Sequence, residues 1–197
     1  MTGAAGFVGS VCARMLVARG HDVVTTDRRG SVTMVGDLAD HAFAVALPTV
    51  DAVVHAAAVQ YVSSDLPFLN RRRYFHENNV VATAHLCERF SKELTHFVNI
   101  GTSMMYEQNG TPEYRVSMPL KGQGVYSASK LEALQHVLSM PKAATVIPCI
   151  IGGVGREGLF RSFVSSMKRR GLVIFPGEGN HPTSMVHVDD VATLICL

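Results

Sequence analysis

The sequence has little net charge and no long hydrophobic segment. Its 18 Lys and Arg residues nearly balance its 16 Asp and Glu residues, so the formal net charge is +2. A nucleic-acid-binding domain needs a concentrated basic face, and this balance argues against that class. No apolar run approaches the ~20 residues that a membrane-spanning helix needs. With 47% apolar and 17% charged residues, the 197-residue chain is typical of a soluble globular protein of one domain, or one and a half.

Cysteine is also sparse, and its spacing suits neither disulfides nor zinc. The four cysteines are Cys12, Cys87, Cys149 and Cys196, and no two of them form a Cys-x-x-Cys pair. We therefore expect free thiols in the reducing cytoplasm, and no metal site. Residues 1–3 lead directly into a glycine-rich turn and lack the basic and apolar regions of a signal peptide.

Short β-branched segments alternate along the chain with longer amphipathic ones. The pattern predicts helices at residues 9–19, 39–47, 78–92, 126–138 and 160–170, and strands at residues 23–26, 32–35, 52–55, 97–100 and 145–147. Gly171 stands where a helix C-cap is expected, and residues 61–73 and 107–123 show no regular pattern. Strands that alternate with helices in this way predict an α/β fold, with a parallel sheet covered on both faces.

Both ends of the sequence look incomplete for such a sheet. Only Met1 and Thr2 precede the glycine-rich turn, where a whole apolar strand is expected. Residues 191–195 look like the opening of a helix that is still under way at Leu197. We therefore expect the full protein to have further residues at both ends.

The glycine-rich turn contains Gly3, Gly6 and Gly9, and a helix follows it directly. Such a turn brings backbone close to a pyrophosphate at the positive end of a helix. Asp27 lies 24 residues after Gly3, where a carboxylate accepts hydrogen bonds from a ribose diol and repels a 2′-phosphate. This favours NAD over NADP, although Arg28 and Arg29 could attract a phosphate. The alternative is a turn that serves packing only, with Asp27 as a loop cap.

A series of motifs in fixed order extends over nearly the whole chain. They are TGAAGFVG at residues 2–9, Asp27, Asp37-Leu38, His55-Ala56-Ala57-Ala58, Asn79-Val80, Gly101-Thr102-Ser103 followed by Tyr106, Tyr126-Ser127-Ala128-Ser129-Lys130, and VHVDDV at residues 186–191. In this order and spacing the sequence resembles the extended short-chain dehydrogenase/reductase family of NAD-dependent nucleotide-sugar epimerases and dehydratases.

The resemblance implies a Rossmann-type, doubly wound parallel sheet with helices on both faces. Residues 1–150 would form the NAD-binding domain, and residues 151–197 would begin a substrate-binding lobe that the chain largely lacks. It also implies a homodimer through a helix pair that includes the helix of Tyr126, and a small-molecule substrate. The cofactor-binding residues that it implies are Gly3, Gly6, Phe7, Val8, Gly9, Asp27, Arg28, Asp37, Leu38, Ala56, Ala57, Ala58, Asn79, Tyr126 and Lys130. Among these, the amides of Phe7 and Val8 would contact the pyrophosphate.

Tyr126 and Lys130 are the candidate catalytic pair. They are four residues apart on a predicted helix and therefore share one face. A nearby lysine cation, together with a positively charged nicotinamide ring, would stabilise the phenolate and lower the pKa of Tyr126, so that the phenol could exchange a proton with a substrate hydroxyl. By resemblance, Lys130 would also hold the nicotinamide ribose. Thr102, with Ser103 as the alternative, would fix the substrate oxygen.

The substrate is predicted less sharply than the cofactor. The family's 4,6-dehydratases resemble Thr-Asp-Glu where this chain has Thr102-Ser103-Met104, which argues against dehydration. Residues 147–153 lack the Arg, Asn and Tyr that sugar-nucleotide enzymes commonly have there, of which the Asn helps to hold the diphosphate. Thr183 stands where epimerases often have an Arg that grips the same diphosphate. Possible replacements are Arg156, Arg161, Lys168, Arg169 and His181. Nucleotide-sugar epimerisation is the first hypothesis. The alternatives are a dehydrogenase or reductase of a non-sugar alcohol or ketone, and a non-catalytic NAD-binding scaffold.

Two groups of polar residues have simpler predicted roles. Arg71, Arg72 and Arg73 are interpreted as a solvated surface run. His55, at the end of a predicted strand, is interpreted as a packed, hydrogen-bonded neighbour of the cofactor and not as a metal ligand.

Overall fold

The protein is described by a computed structural model that covers residues 1–93, 96–107, 113–156, 158–173 and 183–197. The strands are β1 (Thr26–Asp27), β2 (Met34–Val35), β3 (Ala52–His55), β4 (His96–Ile100), β5 (Ala143–Val146), β6 (Ile150–Gly152) and β7 (Met185–His187). The α-helices are α1 (Phe7–Ala18), α2 (His41–Val45), α3 (Arg71–Phe75), α4 (Ala82–Phe90), α5 (Val125–Leu138), α6 (Leu159–Arg170) and α7 (Val188–Ile195).

Thr2 is the centre of the main sheet. It forms parallel bridges with Thr26 of β1 on one side and with His55 of β3 on the other. The order across the sheet is therefore β2, β1, Thr2, β3, β4, β5, and the strand pairings are parallel. The chain moves outward from the centre in one direction and then in the other, which is a doubly wound topology. β6 and β7 pair separately, also in parallel.

The sheet is buried on both faces, as alternate side chains of β3 and β4 show. Val53 and Phe97 pack in one core cluster with Leu86 of α4 and Leu134 of α5. Their neighbours Val54 and Val98 pack in a second cluster with residues of α1 and α7. Because successive side chains of a strand point to opposite faces, helices cover both sides of the sheet. The predicted Rossmann-type fold is confirmed.

The structure corrects several predicted element boundaries. β3 is as predicted, but β1 and β2 are pairs of residues because pairing with their neighbours is confined to the segment beside the glycine-rich turn. The strand β6 was not predicted, since its three residues gain their pairing only from β7. Gly171 has φ +64 at the end of α6, which is the C-cap that was expected.

The predicted irregular stretch at residues 61–73 is wrong for its last three residues. Asn70, in the left-handed conformation with φ 57, precedes α3, which starts at Arg71. A π-helical segment, His76–Val81, joins α3 to α4. The three arginines therefore lie on a helix, although they are exposed as predicted. Part of the second irregular stretch, residues 108–112, lies outside the described residues.

No helix in the described ranges is long and apolar enough to cross a membrane. The four cysteines are free thiols, with Cys12 and Cys87 buried.

Candidate active site

In the glycine-rich turn, backbone atoms pack directly against other backbone atoms. A Cβ on Gly9 would lie 2.0 Å from the carbonyl oxygen of Gly3, and a Cβ on Gly3 would lie 2.6 Å from the amide nitrogen of Ala57. Gly3 also has φ +65, which an L-residue rarely adopts. Phe7 and Val8 are the first two residues of α1, so their amides have no partner within the helix and face its N-terminal end. This is the local structure that a pyrophosphate requires.

A cavity of about 230 Å³ adjoins this turn. The predicted cofactor residues that line it are Gly3, Gly6, Asp27, Arg28, Asp37, Leu38, Ala56, Ala57 and Ala58. The other predicted residues, Phe7, Val8, Gly9, Asn79, Tyr126 and Lys130, lie outside its lining. The sequence reasoning missed Ser63, Asp65 and Asn78, which also line the cavity. The signal for the first two was absent because they lie in an irregular loop whose position is set only by the fold.

Asp27 caps the glycine-rich turn and also faces the cavity. Its Oδ2 accepts a hydrogen bond of 3.1 Å from the amide of Ala5, so it caps the glycine-rich turn. It also lines the cavity at the carboxyl end of β1. The cap fixes the carboxylate against the turn, where it places negative charge beside the cavity.

Arg28 is bound to residues that come from two distant parts of the chain. Its Nη2 donates to Oδ2 of Asp65 over 2.9 Å, and its Nη1 donates to Oδ1 of Asn78 over 2.8 Å. Oδ1 of Asp65 accepts a further hydrogen bond of 2.7 Å from the hydroxyl of Tyr74. Partial burial opposes ionisation of Asp65, but the hydrogen bond from Tyr74 and the charge of Arg28 outweigh it and lower the pKa of Asp65.

Tyr126 and Thr102 meet where β4 ends and α5 begins. Tyr126 is 7% exposed, and the side chain of Thr102 lies near enough to its hydroxyl to lower the pKa of the phenol against the larger effect of burial. Thr102 is held in turn as the N-cap of the 3₁₀ helix Ser103–Met105, because its hydroxyl accepts from the amide of Met104. Two of the three predicted catalytic residues are therefore close together.

The pKa of Tyr126 differs from the predicted one. Burial raises it to about 12, while the positive charge of Arg156 and the hydrogen bond from Thr102 act in the opposite direction. Burial of the phenol dominates in this structure, and the effect expected from Lys130 together with a nicotinamide ring stays a prediction. Arg156 is a cation that acts on the phenol.

Lys130 is buried on the same helix, at 3% exposure. Burial lowers the pKa of its ammonium group to about 8. Its charge acts on His55, whose pKa is lowered to about 3 chiefly by burial. His55 bridges Thr2, at 2.7 Å from Nδ1, and Thr83, at 2.9 Å from Nε2. His55 is thus the packed, hydrogen-bonded residue that the sequence predicted.

Asn79 connects the segment after β3 to the helix of Tyr126. Its Oδ1 accepts from the amide of Val59 over 2.9 Å, and its Nδ2 donates to the hydroxyl of Ser129 over 3.0 Å. That hydroxyl donates to the carbonyl oxygen of Tyr126 over 2.7 Å. The π-helical segment places Asn79 in this buried position, where it links the segment after β3 to α5.

Arg156 lies between the glycine-rich turn and Tyr126. Its guanidinium carbon is 5.4 Å from the centroid of the Phe7 ring, and its Nη2 is 3.4 Å from Oε1 of Gln60. The other basic residues considered as phosphate contacts, Arg161, Lys168 and Arg169, are exposed on α6. His181 lies outside the described residues. Arg156 is thus the basic candidate that the fold brings to the site.

Within the described ranges, no group of three or more His, Cys, Asp or Glu side chains is placed to hold a metal ion.

Comparison with known proteins supports the similarity that the motifs indicate. Among curated proteins, the 2-alkyl-3-oxoalkanoate reductase of Stenotrophomonas maltophilia (strain K279a) is 29% identical over 219 residues. The alignment covers 98% of this chain and 62% of that protein. The chain therefore spans less than two thirds of the length of this relative.

Two solved structures share the fold over almost the whole chain. MoeE5 in complex with UDP-glucose and NAD has a TM-score of 0.80 and 26% identity, over 98% of this chain and 69% of that one. The dTDP-glucose 4,6-dehydratase DesIV from Streptomyces venezuelae has a TM-score of 0.84 and 24% identity, over 99% and 69%.

The family itself is shown by a match that includes every residue. Residues 1–197 match the NAD dependent epimerase/dehydratase family. The resemblance inferred from the motifs is thereby confirmed: this chain belongs to the NAD dependent epimerase/dehydratase family.

Proposed function

We propose that this chain binds NAD and supplies the proton-transfer groups for reversible oxidation of a substrate at a carbinol carbon. The observation that carries the proposal is the buried phenol of Tyr126, which has Thr102 beside it and feels the charge of Arg156, a residue that also lies over Phe7 of the glycine-rich turn. The residues present fit the cofactor, because the turn excludes a Cβ at Gly3 and Gly9 and leaves the first amides of α1 available. MoeE5 and DesIV both hold NAD in their structures.

In this proposal the ends of the dinucleotide are bound by different residues. Phe7 and Val8 donate their amides to the pyrophosphate, and the carboxylate of Asp27 accepts from the adenosine ribose. Asp37, Leu38 and the three alanines after β3 line the adenine side of the cavity. Lys130 donates to the nicotinamide ribose. The negative charge of Asp27 beside the cavity favours NAD over NADP.

Tyr126 is the proposed acid and base. When bound, NAD supplies a site that accepts and returns a hydride. Tyr126 takes the proton from the substrate hydroxyl as the carbon is oxidised, and returns it when the carbonyl is reduced. Thr102 holds the substrate oxygen by a hydrogen bond from its hydroxyl. Arg156, together with Lys130, offsets the cost of forming a buried phenolate.

Two substrate classes remain candidates, and each has its own support. Epimerisation of a nucleotide sugar is favoured by MoeE5, whose structure contains UDP-glucose, and by the family. Reduction of a non-sugar ketone is favoured by the relative named 2-alkyl-3-oxoalkanoate reductase. It is also favoured by the loss of two typical diphosphate contacts, because Ile150 stands where sugar-nucleotide enzymes commonly have Asn and Thr183 stands where epimerases often have Arg.

Cofactor turnover separates these two candidates. The protein is incubated with NAD or NADH and, in parallel, with UDP-glucose or a 3-oxoalkanoate, and absorbance at the reduced-nicotinamide band is followed. An epimerase converts the sugar nucleotide with no net change in absorbance, whereas a reductase oxidises one NADH for each ketone. If neither substrate reacts and NAD does not bind, the proposed function is wrong.

A non-catalytic scaffold is the third hypothesis, and a single substitution tests it. The contact of Tyr126 with Thr102 speaks against this hypothesis, since a scaffold has no need of a buried hydroxyl pair. If Tyr126→Phe binds NAD normally and leaves the cellular role intact, the scaffold hypothesis is correct and the enzymatic one fails.

We also propose that the protein forms a homodimer through a pair of helices that includes α5, as the family resemblance implies. The outer side of this pair carries a groove lined by Arg72, Arg73, His76 and Glu132. Light scattering coupled to size-exclusion chromatography measures the oligomeric state directly, and a monomer at micromolar concentration would contradict the proposal.

A further inference from the structure

The wall of the cavity beside Asp27 contains a hydrogen-bonded group that no sequence motif indicates. The two terminal nitrogens of Arg28 donate hydrogen bonds, one to Asp65 over 2.9 Å and the other to Asn78 over 2.8 Å. The second oxygen of Asp65 accepts from Tyr74. Beside it, Arg29 donates to the hydroxyl of Ser64 over 3.0 Å. Residues 64 and 65 of one loop thus hold both arginines that follow β1.

The arrangement affects the affinity of the cavity for a ribose that carries a 2′-phosphate. A 2′-phosphate needs cationic donors, and arginine binds phosphate best when two of its N–H groups are free to point at it together. Arg28 is the first residue after Asp27 and lines the same cavity. Each of its terminal nitrogens instead donates one N–H, to a carboxylate or to an amide, so these two hydrogen bonds must break before both nitrogens can be presented together to a phosphate.

We propose that Asp65 is a specificity-determining residue that holds Arg28 away from the adenosine ribose and so selects NAD over NADP. This inference rests on the proposed function, because it assumes that the cavity receives the adenosine half of a dinucleotide. It goes beyond the role of Asp27: Asp27 repels a 2′-phosphate, whereas Asp65 holds Arg28, one of the two arginines of the cavity that could attract one. Selectivity then depends on a loop that lies 37 residues along the chain from Arg28.

The contribution of this ion pair to stability is expected to be small. The Arg28 and Asp65 side chains are 35% and 39% exposed, and pairs of that exposure are screened by water. Loss of Asp65 should therefore leave folding nearly unchanged while it frees Arg28. This separates a role in selectivity from a merely structural one.

The test measures dinucleotide binding without turnover. Dissociation constants for NAD and NADP are determined by calorimetry for the unaltered protein and for Asp65→Ala and Asp65→Asn. Adenosine 5′-monophosphate and adenosine 2′,5′-bisphosphate are used as smaller probes of the same cavity. Glu77→Gln is the matched control, because it removes an exposed carboxylate that pairs with Arg73 and does not line the cavity.

Asp65→Ala is expected to shift the NADP to NAD affinity ratio toward NADP by about tenfold, and Glu77→Gln to leave it unchanged. Arg28→Ala added to Asp65→Ala should abolish the gain, because the gain comes from the released arginine. An unchanged ratio in both Asp65 variants, with NAD still bound, would overturn this inference and leave the proposed function intact. Failure of the unaltered protein to bind either dinucleotide would overturn the proposed function as well. Circular dichroism shows that the variants are folded, and Asp65→Asn serves if Asp65→Ala is not.

Discussion

Arg156 lies over the ring of Phe7, with its guanidinium carbon 5.4 Å from the ring centroid, and its charge also acts on Tyr126. Phe7 begins the helix that follows the glycine-rich turn, and Tyr126 belongs to the helix that carries the catalytic pair. One side chain therefore spans the two halves of the proposed site, the pyrophosphate half and the proton-transfer half. Its position gives the proposed function its most direct electrostatic test.

Arg156→Gln should impair the proton transfer of Tyr126 more than it impairs dinucleotide binding. Burial raises the pKa of Tyr126 and the charge of Arg156 lowers it, so without that charge the pKa should rise further above its ordinary value. The alkaline midpoint of the pH profile of kcat/KM should move upward, and activity at neutral pH should fall about tenfold. Arg161→Gln, which removes an exposed arginine of α6, is the control. An unchanged profile in Arg156→Gln would contradict the role.

Tyr126→Phe should abolish turnover while it preserves the fold. The phenol is proposed to transfer the proton, and general acid–base groups typically contribute about 10²–10⁴-fold to the rate. The ring remains in its aromatic cluster with Tyr61 and Phe75, so the free energy of unfolding should change little. Steady-state kinetics and denaturant unfolding measure the two effects. Tyr114→Phe, which retains its stacking on Tyr106, provides the comparison. Equal losses of activity in the two variants would be incompatible with the proposal.

Gly9→Ala should prevent the turn from closing. The added Cβ would lie 2.0 Å from a backbone carbonyl oxygen, and backbone cannot give way as a flexible side chain can. Overpacking of this kind costs about 1–3 kcal/mol, and more where backbone must move. Gly20→Ala is the control, since Gly20 has φ +86 but no atom within 4 Å of an added Cβ. Chemical denaturation should show the larger loss for Gly9→Ala, and NAD affinity should fall in that variant alone.

Lys130→Met should stabilise the fold at pH 7 and remove activity. The buried ammonium has its pKa lowered to about 8, against 10.5 for an unburied lysine. Below pH 8 the native state of the unaltered protein carries a buried, desolvated charge, which Lys130→Met lacks. The unfavourable free energy of burying this charge is fully present in that pH range. Between about pH 8 and 10.5 the native lysine has lost its proton and the unfolded one has not, so stability of the unaltered protein rises with pH. Urea unfolding at pH 7 and pH 10 measures the difference between the two proteins, which should shrink as pH rises.

His55 should make the protein sensitive to acid. Its folded pKa of about 3 lies below the ordinary value of 6.5 because the ring is buried, so the native state excludes a proton that the unfolded state accepts. The stabilising contribution is present above pH 6.5 and is lost as pH falls from 6.5 toward 3, at about 1.4 kcal/mol per pH unit. His55→Gln should flatten that part of the pH–stability curve. Identical slopes in the two proteins would exclude His55 as the source.

The parts of the molecule that local sequence determines were predicted well. The strand β3, the helix of Tyr126 and the C-cap at Gly171 depend on nearby residues, and their boundaries agree with prediction to within about one residue. The glycine-rich turn is equally local, because the three glycines are needed wherever helix and strand approach so closely. The family motifs added the prediction of NAD as the cofactor and of the residues that would bind it.

The sequence by itself therefore determined the fold class, through the alternation of strand and helix patterns, and also the glycine-rich turn and the Tyr126–Lys130 helix, through spacing within one element. Only the tertiary structure decided that Asp65 binds Arg28, that Arg156 acts on Tyr126, and that Lys130 acts on His55. It also placed Asn79 between the segment after β3 and α5 through a π-helical segment. These contacts join residues from distant segments, and burial sets the pKa values. Neither distance in space nor burial can be read from the spacing of residues along one chain.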